Sequence, residues 1–506
     1  MYLYLAVLAV LAGSASAALK PFVARQALGQ VEQLSNTTGI GKLAYFDQLI
    51  DHSNPSLGTF KQRYWWNADH YGGPHSPISL ESPSEAAVFN NPDGSLSGVN
   101  NSTLPGLLAQ DNHGAYIVIE HRYFGESTPV RGRLDTENAQ HLTLDNSIQD
   151  LVYFANNVVL PFDKTNGTAT KPDQAPWLLS GCSYSGALSA WTHDLAPGTF
   201  WAHEAGSAVV EALEQFWDYF EPIKNTTPKN CTADYQRIVK YVDGILKKGN
   251  ETTKNALKDK LSFSGFSDKD FAAYLPNWLT VQQGHQNQRP IATASLPGPD
   301  GVGLELALDG YARLLSRLYG NTSNPITVDG LSFKLQSASD ADSSGPDPWS
   351  WFLCNEPFEW WQSWSRFDTT GFLSSLWSWK DDIADTCDGG FPDKNGFQYG
   401  LKSGRTYHTV NKHTGGWRNV NTTRLFWVNG EFDPWRGATV SAYRRPGGEL
   451  QSTADAPVHV IPGAGHCNDY FSANGDTPEG KDTFVALRDT FRKWVGEFYQ
   501  QHHNLE

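Results

Sequence analysis

Gly181-Cys182-Ser183-Tyr184-Ser185-Gly186 sets a serine among small residues, between the apolar run Trp177-Leu178-Leu179 and the helix-compatible Ala187-Leu188-Ser189-Ala190-Trp191. A serine hydroxyl can serve as a nucleophile when it stands on a tight strand-to-helix turn, and that turn tolerates only small neighbours. Gly181 meets the demand two positions before Ser183; two positions after it, Ser185 replaces the usual glycine, with Gly186 behind it. Such a turn points the Ser183 hydroxyl out of the sheet and makes the Tyr184 N–H the first oxyanion donor. A second donor is expected from the loop after an earlier strand, for which Ser82-Pro83-Ser84-Glu85 is the candidate. The hexapeptide alone also fits an ordinary strand-to-helix turn, so the decision falls to other residues.

A serine needs an imidazole to take its proton, and a carboxylate to hold that imidazole in one tautomer. Among the 15 histidines, His466 stands in Pro462-Gly463-Ala464-Gly465-His466-Cys467, just past the apolar run Val458 to Ile461. Asp433 stands in Asn429-Gly430-Glu431-Phe432-Asp433-Pro434-Trp435, just past Leu425 to Val428; Glu431 is a rival carboxylate two positions earlier. Taken singly, His466 fits a surface or core histidine and Asp433 a turn residue before proline. Together, Ser183, Asp433 and His466 occur in the chain order of an α/β-hydrolase triad, each at the end of a short apolar run.

Those runs predict buried parallel strands, and Ala115 to Glu120 predicts another, followed by His121-Arg122-Tyr123-Phe124-Gly125-Glu126-Ser127. In open α/β sheets ligand groups lie beyond the carboxyl ends of the strands, where these residues would fall. Helical spacing marks Tyr235, Ile238, Val242 and Ile245; Leu304, Leu308, Tyr311, Leu315 and Leu318; and Phe484, Leu487, Phe491, Trp494 and Phe498. The first two stripes lie between Ser183 and Asp433, a longer connection than a plain α/β hydrolase needs. The predicted architecture is therefore an α/β-hydrolase domain over residues 40–204 and 401–503, with an inserted, mainly helical cap over 205–400. Ser337 to Pro348 reads as a surface loop.

The chain has 506 residues, 39% hydrophobic and 13% aromatic, including 18 Trp; this is no disordered composition. Lys and Arg number 39 against 54 Asp and Glu, a net charge of −15, which makes nucleic acid and anionic membrane poor partners. No phosphate-cradling Gly-Lys-Ser/Thr loop, H-E-x-x-H or paired C-x-x-C occurs, so no cofactor and no metal is expected. Residues 1–17 carry a short apolar run ending in Ala15-Ser16-Ala17, a secretory leader pattern too short to span a bilayer. Sequons at Asn36, Asn100, Asn101, Asn166, Asn225, Asn230, Asn250, Asn321 and Asn421 agree with secretion and predict exposed loops away from the cleft. Five cysteines leave at least one free or paired between chains. Cys354 and Cys387 enclose a loop of moderate length and are the expected disulfide, although spacing alone does not determine pairing.

At this point GCSYSGALSAW, NGEFDPW and PGAGHC resemble the prolyl carboxypeptidase and dipeptidyl peptidase II family of serine peptidases, and fungal acid prolyl endopeptidases in particular. Further matching words are Phe46 to Asn67, Ile119 to Ser127, Ala196 to Ala202, Trp351 to Trp361 and Thr414 to Arg436, so that the resemblance spans most of the chain. It implies an α/β hydrolase with a helical cap, cleaving on the carboxyl side of proline, commonly at acidic pH. It implies Ser183 as nucleophile, Asp433 as orienting acid, His466 as general base and acid, and Trp435 as an aromatic lining the proline pocket. Trp360 and Trp361 are candidates for more of that wall, or else core residues of the cap. Three departures stand out. Cys182 occupies a position where the family generally has glycine, the SPSE stretch lacks the expected glycine, and the cap is shorter and poorer in cysteine, leaving Cys231 without an obvious partner. Cys182 and Cys467 each adjoin a triad residue, and a bond between them is left open.

The sequence therefore predicts a secreted glycoprotein, a serine peptidase acting after proline in peptides or proteins through an acyl-enzyme. A vacuolar or lysosome-like destination is the alternative, and a monomer or homodimer is expected. Its rivals are an esterase or lipase on the same triad, an inactive secreted binding protein on a hydrolase scaffold, and carbohydrate binding through exposed Trp.

Overall fold

The computed structural model describes residues 40–280, 300–319, 327–328, 331–332, 346–419 and 422–502. The leader at 1–17, Asn36, Asn321, Asn421 and most of the loop Ser337 to Pro348 lie outside the described residues.

Nine strands form one sheet: β1 (Ile40–Leu49), β2 (Thr59–Asn67), β3 (Ile78–Glu81), β4 (Leu96–Ser97), β5 (Ala115–Ile119), β6 (Trp177–Cys182), β7 (Ala202–Gly206), β10 (Leu425–Gly430) and β11 (Val458–Ile461). Two further strands, β8 (Thr327–Val328) and β9 (Leu331–Ser332), make a separate hairpin. The large sheet runs in the order β11-β10-β7-β6-β3-β5-β2-β1-β4. From β11 to β5 every pairing is parallel, and from β5 to β4 every pairing is antiparallel. This is an α/β-hydrolase sheet, and its parallel half explains its sequence: β6 and β10 are buried at every residue, as strands covered on both faces must be.

Register aligns the strand ends. Cys182 pairs with Gly206, Val428 with Gly206, and Gly430 with Ile461. The segments that follow these strands, carrying Ser183, Ser207, Asp433 and His466, thus leave the sheet along one edge.

The helical stripes behave as their spacing predicts. The helix Lys481–Gln501 buries Phe484, Leu487, Phe491, Trp494 and Phe498; the first four share a core with Leu178, Phe426 and Val428 of the sheet, and Phe498 packs on Trp201. Tyr235, Ile238 and Val242 are buried along Lys229–Lys248, and Leu308, Tyr311 and Leu315 along Leu304–Tyr319. Among the described residues the stretch between β7 and β10 is mainly helical, with a single short hairpin. Of the described sequons, Asn101, Asn166, Asn225 and Asn250 are exposed, whereas Asn100 and Asn230 are half-buried.

Candidate active site

Ser183 sits between β6 and the helix Tyr184–Leu195 with φ 64° and ψ −127°, a left-handed backbone that a serine adopts only under constraint. The constraint is visible. Its N–H donates to the Gly206 carbonyl at 2.9 Å, and the Ser185 hydroxyl bridges the Cys182 N–H and carbonyl at 2.9 and 2.8 Å. A Cβ at Gly181 would stand 2.6 Å from the Ser185 backbone, and one at Gly186 2.5 Å from the Gly206 carbonyl oxygen. Both glycines are required by close approach, while Ser185 uses its hydroxyl to brace the turn. Tyr184 is the first helical residue, and first-turn amides have no intrahelical acceptor, so its N–H is available beside Ser183. Its side chain anchors the helix start, packing against Trp349, Phe352 and Phe358 with its hydroxyl 3.0 Å from His121 Nε2. Burial lowers His121 to about 4, so that this partner is neutral in any ordinary medium.

Asp433 is fully buried and caps the short turn Pro434–Ala438 by accepting the Trp435 N–H at 2.8 Å. His466 Nδ1 stands 2.8 and 2.9 Å from the two Asp433 oxygens, the geometry of an N–H donated to a carboxylate. That leaves Nε2 with the lone pair. The rival Glu431 faces elsewhere and accepts the Gly463 N–H at 2.8 Å. His466 Nε2 is buried and has no hydrogen-bond partner among the described residues, so no bond yet joins it to the Ser183 hydroxyl. Apo hydrolases commonly tighten that contact only on binding substrate.

What holds the two loops together is covalent. Cys182 and Cys467 form a disulfide with their Cα atoms 5.7 Å apart, so the residues next to Ser183 and next to His466 are bonded. The bond left open by the sequence therefore exists, and it gives the cysteine beside Ser183 a structural role. Cys354 and Cys387 form the second disulfide, and Cys231 is free and buried.

Trp435 stands beside His466, their ring centroids 6.2 Å apart. Phe216 at 5.5 Å, Tyr219 at 5.3 Å and Trp360 at 6.1 Å surround it with ring faces and edges. Trp361 belongs to a different recess, with Phe220, Trp364, Trp377 and Asp382. Trp360 and Trp361 are both 1% exposed, so the carbohydrate-binding reading, which needs exposed Trp, is withdrawn: these rings pack inside the protein.

Several residues escaped the sequence reading. Phe216 and Tyr219 have no motif around them. Glu85, by contrast, ends the Ser82 to Glu85 stretch that the sequence offered for the second oxyanion donor; it is buried, and burial pushes its carboxyl up against the opposing pull of its own backbone and of His466. Glu204 and Asp469, under the Ser183 turn, are both buried, and burial raises both carboxyls; the Asp469 charge raises Glu204 further, while contact with Glu204 pulls Asp469 back down. Among the described residues no helix is long and apolar enough to cross a membrane.

The family model "Serine carboxypeptidase S28" matches residues 48–482. The chain is similar to the serine protease vicPb of Bipolaris victoriae, 33% identical over 92% of this chain and 91% of that one. It is 27% identical to a "Probable extracellular serine carboxypeptidase" of Arthroderma benhamiae, over 83% of this chain and 60% of the relative. It is 24% identical to the thymus-specific serine protease of Mus musculus, over 85% and 82%. A solved proline iminopeptidase of Mycobacterium smegmatis is 10% identical over 89% of this chain and 99% of its own, with a TM-score of 0.35. The family match over most of the chain, together with the curated relative at 33% identity, makes this protein a member of the S28 family of serine peptidases.

Proposed function

We propose that this peptidase cleaves on the carboxyl side of proline, with Ser183 as nucleophile, His466 as base and acid, and Asp433 as the group that orients His466. Ser183 Oγ attacks the scissile carbonyl carbon while its proton passes to His466 Nε2. The resulting oxyanion is received by the Tyr184 N–H. The C–N bond then breaks, the amine leaves with the proton held on His466, and an ester to Ser183 remains. Water attacks that ester, His466 takes and returns its proton, and the acid is released. The second donor is expected from the Ser82 to Glu85 stretch, where burial raises the Glu85 carboxyl toward the form that can donate.

The observation that supports proline specificity is Trp435 beside His466, with Phe216, Tyr219 and Trp360 packed against its ring. Aromatic faces suit a pyrrolidine ring, which has apolar sides and no N–H to satisfy. Phe216, Tyr219 and Trp360 come from residues 205–400, read here as a cap inserted into the hydrolase domain of 40–204 and 401–503. On this reading the cap completes the pocket and its closure decides between internal and terminal cleavage. Residues 1–17 are read as a leader and the protein as secreted, with glycan on its exposed sequons.

The test is hydrolysis of chromogenic peptides with Pro or Ala before the scissile bond, blocked or free at the N-terminus, from about pH 3.5 to 8. Cleavage after Pro is expected to exceed that after Ala and to fall about a million-fold in Ser183→Ala. Equal cleavage after Ala, or activity surviving Ser183→Ala, would sink the reading.

A further inference from the structure

Beneath the nucleophile's turn lies a contact that the triad does not use. Glu204 on β7 and Asp469, three residues after His466, are each 2% exposed, and their carboxyl groups are hydrogen-bonded to one another. Glu204 Oε2 also accepts the N–H of Gly181, two residues before Ser183, at 3.2 Å. Glu204 Oε1 is buried and no N–H or O–H group among the described residues donates to it. On the other side, a Cβ at Gly206 would fall 2.3 Å from Asp469 Oδ2, so the Asp469 carboxyl is pressed against the end of β7. The same two segments meet again where the Cys467 N–H donates to Ser207 Oγ at 3.0 Å.

Two carboxyl oxygens attract one another only when a proton lies between them; two carboxylates at that distance repel. The charged groups facing the pair are His466 and Asp433, both on the Asp469 side, and no Lys or Arg acts on either carboxyl among the described residues. We propose that Glu204 and Asp469 are positioning residues that share one proton and thereby hold the Ser183 turn against the His466 loop. With the proton present, the chain of contacts runs from the Gly181 N–H through Glu204 and Asp469 to the loop bearing His466. Without it, the two charges push β7 and that loop apart, and the alignment of Ser183 with His466 is lost. Burial raises both carboxyls, so the proton belongs to the pair and not to either member alone.

The inference rests on the catalytic reading of Ser183 and His466, and the test separates the two. Full-length wild type, Glu204→Gln, Glu204→Ala and Asp469→Asn are compared in kcat and KM for a proline peptide across pH, and in Tm across pH without substrate. The amide of Glu204→Gln donates the same hydrogen bond at every pH. Its kcat/KM is therefore expected to hold about one pH unit further into the alkaline range than wild type. Glu204→Ala is expected to lose about tenfold or more in kcat with KM little changed, because alignment rather than binding is damaged. A carboxyl raised in the folded state favours folding at low pH and opposes it as pH rises. The Tm of wild type should therefore fall from about pH 4.5 upward more steeply than that of Glu204→Gln. Superimposable profiles of both kcat/KM and Tm in wild type and Glu204→Gln would overturn the proposal. If wild type cleaves no peptide, the catalytic reading fails and the Tm comparison still decides on the shared proton. If Glu204→Gln does not fold, the infrared band of protonated carboxyl decides instead: at neutral pH it should be weaker in Asp469→Asn than in wild type, and an equal band overturns the pair.

Discussion

On the antiparallel side of the sheet, Asp150 lies in the grip of Arg122, with Nε donating at 2.7 Å, and Glu120 accepts two bonds from Arg63 at 2.9 and 2.6 Å. On the parallel side, around Ser183 and His466, Glu85, Glu204 and Asp469 are also buried, and among the described residues no Arg or Lys forms an ion pair with them. The two regions respond to acid in opposite senses. Burial alone would raise Asp150, but Arg122 and His52 hold it below the usual carboxylate range. The stability it contributes is present above the ordinary Asp value and is lost as pH falls through its lowered one. The site carboxyls are raised, so their contribution is complete at acid pH and is lost as pH climbs. Around Asp150 buried charge is paired with Arg122, whereas near Ser183 three buried carboxyls, Glu85, Glu204 and Asp469, are raised toward the protonated form.

Breaking the paired side should have the largest effect. Arg122→Met leaves Asp150 buried with only His52 beside it, and a loss of about 3–5 kcal/mol in unfolding free energy at pH 7 is expected. Urea melts should show this loss shrinking as acid neutralises Asp150. Acid sensitivity has a second source in His203, whose ring nitrogens are buried without partners and whose affinity for protons burial lowers well below the ordinary value. Its cost appears as pH falls through the ordinary His value, because only the unfolded chain can then take up the proton. His203→Leu should therefore stabilise by about 1–2 kcal/mol at pH 4.5, and less at pH 7.5, in thermal melts. The contrast sharpens at the site itself with Glu85→Gln. An amide donor independent of pH should raise kcat/KM severalfold near pH 7 while changing it little near pH 4, and a wild-type profile in the variant would remove Glu85 from the oxyanion site. The smallest effect is expected at Asp382, which burial raises to about 7 in the recess lined by Trp361 and Trp377. Asp382→Asn should lift Tm by a few degrees at pH 8 and leave it unchanged at pH 4.5.

Much of the fold could be read locally. The helical stripes were recognisable because burial of one face imposes a three-to-four-residue spacing, and the sheet strands because a strand covered on both faces is apolar throughout. The strand ends were less legible: β6 runs on through Gly181 to Cys182 and β10 to Gly430, since small residues continue a strand without an apolar signal. The site was legible where chemistry restricts the residue type. Gly181 and Gly186 announce a turn with no room for side chains, and the turn selects Ser183. By contrast, nothing local distinguished Glu431 from Asp433 as the neighbour of His466. Their side chains leave β10 in different directions, and only the path of the Pro462 to His466 loop determined which one the imidazole would meet.

By itself, then, the sequence determined which residue types stood at the ends of which strands, because backbone sterics and burial act over a few neighbouring positions. The tertiary structure alone decided which distant groups touch. It brought Phe216 and Tyr219 to Trp435, joined Cys182 to Cys467, and set Glu204 against Asp469. These contacts depend on strand order and register, which arise when the whole sheet assembles and leave no periodicity in the chain.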